Sequence, residues 1–251
     1  MTNVLLAGET WVSEATHYKG FDSFTTVTFH SGADDYIRAL NAHGIQVEHM
    51  AAHDVPQAFP ASAGELDKFD VVVLSDIGAN SFQLPPETWL DGKSSPDRLA
   101  VLADWVQNGG KLMMAGGYLS FQGFQARANF ARSKIAQVLP VVLSDYDDRE
   151  EVSAGAVVSA VGKSDLASLV GAEAPPLLGY NKVEAKPEAT VHAKVDQDVL
   201  IATAEFGSGR SLVWTSDIGP HWCPSPFVNW SGFQKLMAGM IQWLDKGQVG
   251  E

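Results

Sequence analysis

The sequence is poor in three things, and each shortage excludes something. It has one cysteine, Cys223, in 251 residues, so it can form no internal disulfide, and a reducing compartment is the expected setting. It is short of cations: 17 Lys+Arg stand against 30 Asp+Glu, a formal charge of −13. That balance argues against a nucleic-acid binder, which normally carries a basic patch. It has no apolar run near the ~18 residues of a membrane span. Only Thr2 and Asn3 separate Met1 from the strand-like run Val4-Leu5-Leu6-Ala7, which leaves no room for a signal peptide. Solenoid repeats, low-complexity tracts and charge blocks are also absent. A cytoplasmic protein with neither nucleic-acid nor membrane partners is expected. What remains is the composition of a globular chain, 45% apolar and 19% charged, long enough to bury a core without staples. We read 1–251 as a single domain.

Short β-rich runs alternate with helix-length amphipathic stretches. A first strand is expected at about Asn3–Ala7, then a long loop rich in aromatics and Thr from His17 to Phe29. A helix is expected from Ser31, as N-cap, to the stop at Gly44. Ile45–Met50 reads as a strand, and Phe69–Leu74 as a strand covered on both faces. A helix begins after Ser95, with Pro96 in its first position, and ends at Asn108-Gly109-Gly110. Lys111–Ala115 follows as a strand. This order implies a parallel sheet with right-handed crossovers. Later strands are expected at Val152–Val161, Ala189–Lys194, Val199–Phe206 and Arg210–Thr215, the last two flanking a hairpin at Gly207-Ser208-Gly209. A helix from Ser231 to Leu244 closes the chain. The fold class is α/β with a mixed sheet.

Three segments carry candidate chemistry. Gly116-Gly117-Tyr118-Leu119-Ser120 follows a strand and is expected to open a helix. Its spacing fits neither a dinucleotide fingerprint nor a Walker A loop, but it looks like a nucleophile elbow with Tyr118 at the tip. Tyrosine is a weak nucleophile at neutral pH, and the alternative is a Gly-rich turn that only permits close packing. In the second segment, His221 lies between Pro220 and Pro224, just past a strand. It is either a general base or a histidine bonded to a loop carbonyl. Cys223 nearby is either a reactive thiol or a buried one. The third feature is an echo: Ser75-Asp76-Ile77-Gly78 and Ser216-Asp217-Ile218-Gly219 are the same tetrapeptide, each ending a strand-like run. Ligands of open α/β sheets bind beyond the strands' carboxyl ends, so Asp76 and Asp217 either face one crevice or cap their own turns. Glu9 follows the first strand and belongs topologically to the same crevice. His49 and His53 have i,i+4 spacing, but Met50 stands where a zincin glutamate would be. Phe227, Trp230 and Phe233 are candidates for an oligomer contact.

Together, Lys19–Phe24, Leu74–Asn80, Gly116–Gly123, Pro176–Asn181 and Thr215–Trp222 resemble a class I glutamine amidotransferase-like domain. More narrowly they resemble the bacterial "putative glutamine amidotransferase" family, close to the ThuA-like (trehalose-utilisation) group. The resemblance implies a flavodoxin-like three-layer αβα sandwich whose mostly parallel sheet has an antiparallel C-terminal portion. Amidotransferases of this class place a cysteine at the elbow and a histidine and glutamate two residues apart after a late strand. Here Tyr118 stands at the elbow, His221 matches the late histidine, and Cys223 stands in place of the glutamate. The thioester route therefore lacks its elbow thiolate.

The expected function is binding of, or action on, a small polar, sugar-like metabolite in the crevice. His221, Tyr118 and Asp217 are the catalytic candidates, in a hydrolase or isomerase with His221 as base and an aspartate or Glu9 as acid. Glu9, Asp76 and Ser120 would line the crevice, with Trp11 and Trp222 stacking on a sugar face. His17, Asn80 and Gly117 are further ligand-binding candidates. No cofactor is expected; the acidic crevice permits a divalent metal, though no ligand spacing demands one. A homo-oligomer is expected. The alternatives are a non-catalytic binding or oligomerisation module, a role the resemblance extends from related domains in some glycosidases, and an amidohydrolase using Cys223.

Overall fold

The computed structural model describes residues 1–249. Its strands are β1 (Asn3–Gly8), β2 (Thr10–Lys19), β3 (Asp22–Ser31), β4 (Gln46–Met50), β5 (Val71–Ser75), β6 (Lys111–Ala115) and β7 (Val141–Val142). They continue with β8 (Arg149–Ala156), β9 (Val158–Ala160), β10 (Leu177–Asn181), β11 (Glu184–Ala185), β12 (Thr190–Val195), β13 (Asp198–Phe206) and β14 (Gly209–Trp214). Eight of them form one sheet in the order β4-β1-β5-β6-β14-β13-β12-β9. The first five run parallel, and the last three continue antiparallel. This is the flavodoxin-like sheet with an antiparallel C-terminal portion that the sequence implied.

Both faces of the sheet are covered, as the β-branched runs require. Val4, Leu6, Val71, Val73, Met113 and Trp214 point into one core, shared with the helices Asp34–Ala42 and Phe233–Lys246. Leu5, Ala7, Val72, Leu74, Leu112 and Val213 point into the other, shared with the helix Arg98–Gln107. The period-2 alternation of strand side chains sorts neighbouring residues to opposite layers.

Six expectations need correction. Ser31 is not a helix N-cap but ends β3, and the helix Asp34–Ala42 starts after Ala33. Val152–Val161 is not one strand: β8 and β9 belong to different sheets. The segment His17 to Phe29 is not a loop. It is most of a two-stranded antiparallel ribbon, β2–β3, paired from Thr10↔Ser31 to Lys19↔Asp22. Gly20, at φ +67°, occupies the first central position of its two-residue turn, where a left-handed residue matches the strand twist. The helix expected from Pro96 starts two residues later, at Arg98, capped by the Asp97 carboxylate, which accepts from the backbone N–H of Leu99 and Ala100. The Gly116 segment opens no α-helix; residues 116–123 are turns and bends, and Tyr118 is not at positive φ, so the strained strand-to-helix elbow is not formed. Finally, Phe227 and Phe233 are fully buried in the core, with Trp230 partly buried against them, so these rings are not a free oligomer contact.

Candidate functional site

The parallel strands set the site by ending level. Gly8 pairs with Ser75, Ser75 with Ala115, and Ala115 with Trp214. The residues just past these ends are Glu9, Asp76, the Gly116-Gly117-Tyr118 turn and Thr215-Ser216-Asp217. They surround a pocket of about 360 Å³ lined by Glu9, Trp11, Gly32, Asp76, Tyr118, Asp217, Gly219, Pro220 and His221. This is the crevice position expected for an open α/β sheet.

Glu9 and Asp76 hold left-handed backbone, at φ +54° and +42°, a conformation that costs a non-glycine residue about 1–3 kcal/mol and collects at functional sites. Glu9 is 5% exposed. Its Oε1 accepts from Ser75 Oγ at 2.8 Å, while Oε2 sits beside Gly32, where a Cβ would come within 2.7 Å of it. Burial, then the charges of Asp217 and Asp76, hold the Glu9 carboxyl well above the usual carboxylate range. Burial and Asp217 push Asp76 up to about 6, against the pull of the Leu119 N–H and His221. Glu9 thus holds its proton more tightly than an ordinary carboxyl does.

Asp217 Oδ2 accepts from the Trp222 backbone N–H at 2.9 Å and lies 3.3 Å from His221 Nδ1. That contact raises the imidazole above its ordinary value, against some desolvation. It also orients the ring, leaving Nε2 as the free nitrogen, the second-group logic of a base held by a carboxylate. Asp217 caps its own loop through the Trp222 N–H as well as lining the pocket. Asp76 lines the pocket but caps a distant turn instead of its own: its Oδ1 accepts from Leu119 N at 2.7 Å, and its N donates to the buried Ser120 hydroxyl. The capping reading of the echoed tetrapeptide therefore holds for Asp217 alone.

Tyr118 presents its ring rather than its hydroxyl. The ring sits edge-on to His221 at 5.0 Å, while the O–H donates to Glu151 Oε1 at 2.7 Å. That bond, with burial, raises the phenol's pKa. The Trp222 indole N–H donates to the other Glu151 oxygen, and Trp222 is buried behind His221 rather than lining the pocket. Gly117 is required: at φ +140°, a Cβ there would stand 2.8 Å from Asp76 Oδ1. Trp11 lines the pocket as expected. His17 does not; it lies on the ribbon, stacked on Phe24 and bonded to Thr26 Oγ1. Asn80 is exposed and lies outside the lining. Cys223 is 0% exposed in the core, and burial pushes its thiol well up. A sealed, protonated thiol is neither nucleophile nor ligand, so the thiol-enzyme reading is set aside. His49, at the end of β4, is bonded to the Gly8 carbonyl.

Sequence reasoning missed the contributions of Gly32, Gly219, Glu151, Asp148 and Asn181. Gly219 lies so close to Gly32 that a Cβ would meet its carbonyl at 2.2 Å, closing the pocket wall. Asn181 accepts from Gly117 N–H at 3.0 Å and donates to Asp148, whose carboxylate also accepts from the N–H of Gln122 and Gly123. This buried brace fixes the turn that carries Tyr118.

The family model described as "Putative glutamine amidotransferase" (GATase1_like) matches residues 3–246. Among solved structures, Cytoplasmic Protein STM3548 of Salmonella typhimurium is 38% identical, at a TM-score of 0.91 over 96% of this chain and 98% of that one. Cytoplasmic Protein STM1381 of Salmonella typhimurium LT2 is 37% identical, at 0.93 over 98% and 100%. A ThuA-like protein of Parabacteroides merdae is similar in fold alone, at 14% identity and a TM-score of 0.52 over 100% and 91%. A comparison with curated proteins finds no match. No helix among the described residues is long and apolar enough to cross a membrane.

Proposed function

The chain belongs to the GATase1_like family, and from that premise we propose that it does not run the thiol chemistry the family is named for but binds a small, hydroxyl-rich metabolite in the pocket and moves protons on it. The observation that carries this reading is the convergence of Glu9, Asp76, Asp217 and His221 on one pocket of about 360 Å³, within the range of small-molecule sites. Burial and neighbouring carboxylates raise the Glu9 carboxyl, and Asp217 raises the His221 imidazole, the tuning expected of a proton donor and a base. Glu9 is the acid: its Oε2, beside Gly32, delivers a proton to a bound oxygen. His221 is the base: Asp217 holds Nδ1, and Nε2 accepts a proton from the ligand. Trp11 and the Tyr118 ring supply apolar faces for a sugar ring to lie against. An isomerase or hydrolase uses such a pair, and positioned acid–base groups contribute about 10²–10⁴-fold each. The two Salmonella relatives are described as cytoplasmic, and we assign this chain the same location.

A thermal-shift screen of neutral sugars, sugar acids and amino acids tests the reading. A polyol or sugar acid is expected to raise the melting temperature of the wild type, and His221→Ala is expected to abolish the shift while the exposed substitution Lys163→Ala keeps it. Turnover of the hit separates an enzyme from a binding module. The absence of any hit across a broad library, or a hit that His221→Ala leaves intact, removes the pocket as the site.

A further inference from the structure

The β2–β3 ribbon forms a sheet of its own and projects from the body. Ten residues per strand at ~3.3 Å each give it a reach of about 33 Å. Every residue from Trp11 to Phe29 is exposed, yet the arm is not polar. On one face Val12 is paired with Phe29 and Glu14 with Val27, and Tyr18 follows on the same face. Val12, Val27 and Phe29 are 58%, 68% and 54% exposed. A lone two-stranded ribbon is marginal in water, and its outer edges are templates for further pairing. Contiguous apolar surface of this kind marks an interaction site.

The charge distribution says which partner fits. Residues 10–31 carry Glu14, Lys19 and Asp22, a net charge of −1, so −12 of the chain's −13 lies elsewhere. Two copies meeting body to body face that repulsion, whereas two arms meeting do not. Each ribbon face is about 33 Å by 10 Å, so one face per copy offers roughly 330 Å², well under the ~800 Å² per partner of a standard interface and the size of a weak, reversible contact. We propose that the arm is a self-association surface: its apolar face around Val12, Val27 and Phe29 packs on the same face of a second copy, in an isologous dimer. The arm's root is the pocket wall, through Trp11 and Gly32, so association also steadies that wall.

Sedimentation equilibrium carried up to submillimolar concentration, where a weak contact fills, tests the proposal. The wild type is expected to be a dimer, and the double variant Val12→Asp/Val27→Asp a monomer with unchanged circular dichroism. Cys223 is sealed, so Thr16→Cys adds the one reactive thiol, on the middle of the same face. Oxidation is expected to link two copies covalently. A monomeric wild type overturns the proposal, as does a double variant that remains dimeric. Should the double variant fail to fold, the absence of a Thr16→Cys link overturns it instead.

Discussion

Glu9 and Asp76 show how a single carboxyl can serve function at the expense of stability. A carboxyl whose pKa is higher folded than unfolded binds more protons in the native state. Between the two pKa values the unfolded chain therefore gains relative stability as pH rises. For Asp76 that window runs from 3.8 to about 6, and the loss across it is on the order of 2 kcal/mol once partial exposure is allowed for. Glu9 acts in the same direction from 4.5 upward. Asp76→Asn keeps an oxygen to accept from the Leu119 N–H but has no charge to gain. Urea denaturation at several pH values is expected to show a shallower decline for Asp76→Asn between pH 4 and 6, and a higher midpoint at pH 7 than wild type. An unchanged slope would mean that Asp76 titrates alike in both states.

At the scale of elements, the turn after β6 is held by contacts that tolerate no side chain at position 117. Gly117 donates to the Asn181 side chain, and a Cβ would strike Asp76. Gly117→Ala adds backbone strain of about 1–3 kcal/mol to a steric cost of similar size. A loss of about 2–4 kcal/mol is expected in urea denaturation, together with loss of ligand binding as Asp76 moves. Gly64→Ala, where a Cβ would meet nothing within 4 Å inside the helix Ala63–Leu66, is expected to be neutral or slightly stabilising. If both variants behave alike, the turn does not constrain Asp76. Which elements could be read from sequence follows the same physics. Val71-Val72-Val73 announces a strand because both faces are buried, and Glu9, Asp76, Asp217 and His221 could be placed because strand ends share one edge. The β2–β3 ribbon was hidden because no core imposes an in-and-out pattern on it; its one local signal was Gly20 between runs of Thr and aromatics. Asn181 reaches Gly117 across 64 residues of chain, and Asp148 reaches Gln122 across 26, contacts no local pattern encodes.

At the scale of the whole molecule, the only cysteine becomes a reporter of global opening. Cys223 belongs to the core between the sheet and the helix Phe233–Lys246. The loop that leads to it is tied down on all sides. Trp222 is 1% exposed and packs where Gly179 leaves no room for a Cβ. Its carbonyl accepts from Leu178 N at 2.7 Å, and Ser216 Oγ donates to the Gly179 carbonyl. Releasing the thiol therefore breaks the seam between β10, β14 and the C-terminal helix, which is a large part of the fold. A small aromatic disulfide reagent is expected to leave the native protein unlabelled on the timescale of mixing. Under reclosing-limited conditions, the slow labelling rate should rise with urea along the slope of equilibrium unfolding. Fast labelling without urea, or a rate indifferent to it, would show that residues 216–224 open as a separate unit. In that case His221 and Asp217 would sit on a movable segment, and ligand binding would be expected to slow the labelling selectively.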